Sequence, residues 1–188
     1  LDYDPVDTYS DVTEGMTDTG EKVVFKNKAA VVGHLTTIYN QMRDRQEHWY
    51  VDLLLIADSH ADNAYAGTTG AEVLPFENNS IEGSNSVMER DWNRYMEDVA
   101  RANILICNID AVTDNALTTT ERAQYKAEAK IFRAMVMFDM VRLWGDFPVI
   151  TTVADDITSD NIDEVYPQYF PAQNTELEAY QQIEKDLL

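Results

Sequence analysis

Apolar residues recur at three- and four-residue steps along most of the chain, and the longest such stretch runs from Thr118 to Pro148. It opens with Thr118 and Glu121, the spacing of a capping box: the threonine hydroxyl accepts from an early helical N–H while the glutamate reaches back. From Ile131 to Trp144 the apolar side chains cover nearly the whole helical circumference, wider than the single stripe of a helix with one face in water. The pattern therefore predicts a helix over Thr119 to Trp144, buried on several sides, with Phe132, Met135 and Phe138 in the core. Gly145 suits the left-handed position after it and Pro148 forbids continuation, so the chain must leave extended through Phe147 to Ile150.

The same periodicity predicts helices on either side. Val31, Leu35, Ile38 and Met42 place one over Lys28 to Arg43, where Gly33 leaves room for a close neighbour. Glu47 to Ala57 is almost continuously apolar from Trp49 to Ile56 and is read as a buried helix rather than a strand. Ser86 and Glu89 form a second capping box; behind it Met88, Trp92, Tyr95, Val99, Ala102, Ile106 and Ile109 mark a helix over Val87 to Ala111, with Trp92, Tyr95 and Val99 buried. Its outer face carries Arg94 with Asp98 and Glu97 with Arg101 at i,i+4. Thr175 and Glu178 make a third box ahead of a helix over Glu176 to Leu188. Glu21 to Asn27 reads as a short strand at the end of an extended N-terminal arm, residues 1–27. Residues 28–188 then form one helical region that breaks off within its last helix pattern. The expected fold is all-α: antiparallel helix pairs stacked as an α-solenoid, with long loops.

Composition narrows the chemistry. The net charge of −20, from 34 acidic and 14 basic residues, argues against binding nucleic acid through phosphates and against docking on anionic lipid. One cysteine, Cys107, excludes an internal disulfide and reads as a buried, inert thiol. His34, His48 and His60 are too scattered for a metal-ligand motif. No stretch approaches the roughly 20 apolar residues of a membrane span. Asp155 to Glu164 would suit calcium, but EF-hand spacing fails for want of glycine at the sixth position, and the segment reads as a solvated acidic loop. No other cofactor is implied. Hydrolysis of a glycosidic bond needs two carboxylates set across it, yet no motif picks a pair from so many, so the chain is read as a non-enzyme. Asp139 and Arg142, at i,i+3, read as an ion pair within their helix.

The central helix also carries a resemblance. Ala127-Glu128-Ala129, Phe132-Arg133-Ala134, Phe138-Asp139, Val141-Arg142-Leu143 and Trp144-Gly145-Asp146-Phe147-Pro148 resemble the signature of the SusD/RagB family. Asp58-Ser59-His60-Ala61-Asp62-Asn63-Ala64, the helix Trp92 to Asn103 and Tyr180 to Leu187 resemble further elements of it. The resemblance implies a tetratricopeptide-like repeat type and a surface-exposed outer-membrane lipoprotein. Such a protein captures nutrients, mostly glycans, for a SusC-like TonB-dependent transporter. The lipidated cysteine that would anchor it is not in this sequence, so anchoring is implied by the resemblance alone. A peptide ligand within the same family and a helical-repeat scaffold that binds only protein stand as alternatives.

The best candidate site is the glycine-punctuated loop Asp62 to Asn79, with Asp62, Asn63, Tyr65, Phe76, Asn78 and Asn79. Sugars are held by aromatic faces against their C–H side and by carboxylates and amides at their hydroxyls, and this loop has both kinds of group. Loops this long inside a compact domain are usually functional or disordered.

Overall fold

The first helix, α1 (Lys28–Asp44), turns Val31, Leu35 and Ile38 inward. It belongs to a computed structural model that describes residues 24–44, 47–53, 55–61 and 63–188. The expected extended arm over residues 1–20 and the first part of the expected strand lie outside the described residues. Residues 24–27 are not a strand; Phe25 packs into the core and sets its ring edge-on to His34, 5.3 Å away. Gly33 meets no neighbour, since a methyl group there would find nothing within 4 Å.

The apolar run after α1 is helical, as its pattern predicts, but it winds as two π-helical segments, Glu47–Asp52 and Leu55–Ser59. A short turn, α2 (Leu74–Glu77), interrupts the long loop, and α3 (Ser86–Asn108) runs on into a 3₁₀ turn at Ile109–Ala111. The cap of α3 is displaced by one residue from the expected box: Asn85, not Ser86, accepts from the N–H groups of Val87 and Met88. Helix α4 (Thr119–Trp144) begins with the predicted Thr118–Glu121 box, and Gly145 follows it with φ of 70°. Two short turns, α5 (Ile162–Val165) and the 3₁₀ turn Tyr166–Tyr169, lead to α6 (Glu176–Leu187), which starts on the Thr175–Glu178 box.

Helix α4 is the centre, packed on α3, on α6 and at its start on α1. Side-chain pairs set the directions. Arg133 meets Asn103 on α3 and Asp186 on α6, while Trp144 meets Trp92 and Phe138 meets Tyr180, so α3 and α6 both run antiparallel to α4. Lys28, at the start of α1, donates its backbone N–H to Asp114 (2.9 Å) and its ammonium to Glu121 (2.6 Å), which holds α1 on the turn between α3 and α4. The architecture is all-α, and among the described residues the strand-type pairing is confined to one bridge between Phe147 and Asn174. The bridge folds the extended exit of α4 back against the start of α6, where Asp146 accepts from the N–H of Glu176 at 2.9 Å.

The burial expected for Phe138, Trp92, Met135 and Cys107 is corrected. Phe138 is 43% exposed rather than buried; its ring lies edge-on to Tyr180 with the Arg142 guanidinium 4.6 Å above it. Together with Ile131, 56% exposed, it leaves α4 one face that α1, α3 and α6 do not cover. Trp92 and Met135 are half-buried, whereas Tyr95, Val99 and Phe132 are buried as expected. Cys107 is exposed, its Sγ 3.6 Å from the carbonyl of Thr151.

Candidate functional site

The segment from Ser59 to Asn85 is a loop because glycines and asparagines break its periodicity, yet it is pinned at several points. The N–H groups of Asn63 and Ala64 donate to the carbonyl of Asp58 (2.9 and 3.1 Å), closing the end of the second π-helical segment. Ala66 N–H donates to Glu77 Oε2 at 2.8 Å, drawing Tyr65 toward α2. Asn79 adopts φ of 53°, the left-handed conformation that asparagine tolerates, and lets the chain turn after α2. Asn85 holds the far end: its amide donates to the carbonyl of Glu72 at 2.9 Å while its oxygen caps α3.

Of the six site residues expected from sequence, Asp62 lies outside the described residues. Asn63, Asn78 and Asn79 are exposed, and Tyr65 is 89% exposed. Phe76 is fully buried on α2, a turn that packs against Leu55–Ser59. Its ring anchors the loop and has no face open to a ligand, because apolar area of that size is removed from water wherever a neighbouring helix can cover it. The pinned contact between Ala66 and Glu77 brings Tyr65 and Asn78 to one part of the loop, with Asn63 at its base.

The second half of the loop borders two hollows that sequence reasoning missed. One, of about 390 Å³, has a mixed lining: Ala71 and Pro75 beside Glu72, Ser80, Ser84, Asn85 and Ser86. The other, of about 430 Å³, lies between the loop and the C-terminal end of α4 and is lined by Ile81, Met88, Glu89, Trp92 and Trp144. Glu82 borders both. The indoles of Trp92 and Trp144 stand edge to face, 5.3 Å apart at 84°, and Tyr95 supports Trp144 from within at 5.6 Å. The signal was present in the sequence: Trp92 near the start of one helical pattern and Trp144 at the end of the next fall at the same end of an antiparallel pair. Read one helix at a time, both looked like core.

Beneath the loop, the buried Asp52 of the first π-helical segment pairs with Arg90 of α3. Burial, then the neighbouring Asp91 carboxyl, push Asp52 up to about 6, against the opposing pull of Arg90. Burial likewise raises the Tyr95 hydroxyl, with Asp139 and Asp91 adding to it. No group of three or more His, Cys, Asp or Glu among the described residues is placed to hold a metal ion. The arrangement joins aromatic surface to hydrogen-bond acceptors in open hollows, which equips it to bind a polyhydroxylated ligand.

Residues 9–188 match the family described as SusD-like, starch-binding and associating with the outer membrane. The chain belongs to the SusD-like family. Among curated proteins nothing matches. Among solved structures, a laminarin-binding SusD-like protein superposes with a TM-score of 0.67 at 23% identity, over 86% of this chain and 33% of that one. A SusD-like protein from Bacteroides fragilis NCTC 9343 superposes with a TM-score of 0.67 at 19% identity, over 91% of this chain and 30% of that one. The chain thus spans about a third of the length of these two neighbours, and the likeness to them is one of fold. No described helix is long and apolar enough to cross a membrane.

Proposed function

We propose that this SusD-like chain contributes one wall of a glycan-capturing site on a cell-surface lipoprotein that delivers its ligand to a SusC-like TonB-dependent transporter. The observation that carries the reading is the family match over residues 9–188, joined to an open loop region in which aromatic rings and acceptors converge. The fold likeness to a laminarin-binding SusD-like protein supports an oligosaccharide ahead of a peptide. Capture rather than bond cleavage is the role. The family is a binding one, and the exposed amides of Asn63, Asn78 and Asn79 with the ring of Tyr65 suit hydroxyl recognition and stacking.

Calorimetric titration of the full-length protein against soluble glycans tests this. At least one oligosaccharide should bind without product release, and Tyr65→Ala should weaken it by about 1–3 kcal/mol, the scale of burying an aromatic side chain. A pull-down that yields a protein partner while every glycan fails to bind would favour the scaffold reading instead. Co-purification from solubilised outer membranes tests the transporter. The acidic surface meeting a basic rim would make that association weaken with salt, and a preparation that never retains a barrel protein would remove the partner.

A further inference from the structure

Resting on that reading of glycan capture, we infer that the cleft lined by Trp92 and Trp144 is a stacking subsite for uncharged sugar rings, whose acidic border rejects uronate- and sulfate-bearing glycans. Three observations converge on it. First, the cleft is built: the two indoles are held perpendicular to one another and backed by the buried Tyr95, so the aromatic surface is positioned before a ligand arrives. Both are half-buried, and each keeps part of its surface at a hollow of about 430 Å³, room for a sugar unit with its neighbours in open solvent. Second, the adjoining hollow of about 390 Å³ offers the hydroxyls of Ser80, Ser84 and Ser86 along the same loop, a continuation for a chain whose first ring is stacked.

The third observation concerns charge. The residues that line the two hollows include no lysine or arginine, and the loop that supplies most of them lies in a stretch, between Arg45 and Arg90, that has none. Glu82 and Glu89 are exposed at the border, and Glu72 lines the second hollow. Arg90, two residues before Trp92, is engaged with Asp52, and Arg142, two residues before Trp144, with Asp139. An anionic substituent entering here meets carboxylates with no lysine or arginine among the lining residues, whereas a neutral ring gains hydroxyl–carboxylate hydrogen bonds. Repulsion of this kind is screened beyond about 10 Å at 0.1 M salt, so it must act at the border itself.

The test uses the full-length protein and three probe sets: neutral gluco-oligosaccharides of α-1,4, β-1,3 and β-1,4 linkage; oligogalacturonate; and sulfated oligosaccharides. A neutral probe should bind and change tryptophan fluorescence. The anionic probes should bind at least about tenfold more weakly at 50 mM salt, with the gap narrowing at 500 mM. Glu82→Gln with Glu89→Gln, both at exposed positions, should narrow the gap at low salt by strengthening the binding of the anionic probes. Trp92→Phe, which keeps an aromatic core, should weaken the neutral probe by about tenfold. Equal or tighter binding of an anionic probe, with no response to the glutamate changes, would overturn the charge selection while leaving glycan capture in place. Neutral binding that alters neither tryptophan fluorescence nor its affinity on Trp92→Phe would move the site away from this cleft. Failure of all probes would remove both readings.

Discussion

Arg133 shows what a single buried charge does in this fold. Its guanidinium donates to both oxygens of Asp186 (2.7 and 2.6 Å) and to Asn103 Oδ1 at 2.6 Å, while Asn103 donates to the carbonyl of Ile150 at 2.9 Å. One side chain thereby ties α3, α4, α6 and the exit of α4 together. The planar fork of arginine satisfies both carboxylate oxygens at once, which a lysine cannot. Arg133→Ala, which strands Asp186 in the core, should lower the unfolding free energy by about 3–5 kcal/mol, and Arg133→Lys should not restore it. Chemical denaturation followed by circular dichroism reads both. Asp52 supplies the second residue-scale prediction. Its carboxyl titrates near 6 in the folded chain and near 3.8 when unfolded, so the folded state binds the extra proton between those values. Stability should therefore rise as the pH falls from 7.5 to about 5, and the increment is lost as pH rises through 6. Asp52→Asn should flatten that slope; an unchanged slope would assign the pH dependence to other groups. Depression of the His34 ring by burial acts the other way, favouring the neutral form above about 6.5 and eroding stability below it.

Among the elements, helix starts follow local chemistry. Glu121 is held down to about 2 by the Lys28 ammonium and by Thr118, so its box stays charged through any moderately acidic pH. Thr118→Ala should cost about 1 kcal/mol of helix stability, within the ordinary range for a lost N-cap. The loop is held differently. Phe76 is its buried anchor, and Phe76→Ala should loosen residues 66–80 without unfolding α3 or α4. Hydrogen exchange should then show lost protection at Ala66 and Ser80, whose N–H groups bond within the loop, while the amides of α4 stay protected. The π winding of Glu47–Asp52 and Leu55–Ser59 is the element least expected from pattern, since a continuous apolar run carries no phase to distinguish one helical pitch from another.

Across the whole molecule an apolar stripe stays in water. Ile131 and Phe138 lie one heptad apart on α4, Tyr180 and Leu187 one heptad apart on α6, and the two helices meet through Phe138 and Tyr180. All four are at least 43% exposed. Such a stripe favours association, and the 188-residue chain taken alone should form concentration-dependent oligomers. Ile131→Glu with Leu187→Glu should return it to a monomer by sedimentation analysis; a monomeric parent would show the stripe too small to drive association.

What the sequence by itself determined was local. The presence of the helices, the ends of α4, two of three capping boxes and the turn at Gly145 all depend on residues within a few positions of one another, where hydrogen-bonding geometry leaves few choices. The family signature was equally legible, because it is a continuous run of residues. What the tertiary structure decided was which faces meet. Apolar periodicity says that Phe138, Trp92 and Phe76 belong to apolar faces; whether a neighbour covers each depends on packing between segments far apart in the chain. Thus Phe138 is exposed, Trp92 joins Trp144 at a cleft 52 positions away, and Phe76 turns inward as an anchor. Arg133 and Asp186 likewise lie 53 residues apart, and no local spacing could have paired them. Helix caps are settled within one turn of chain, whereas burial and binding clefts exist only once distant helices have docked.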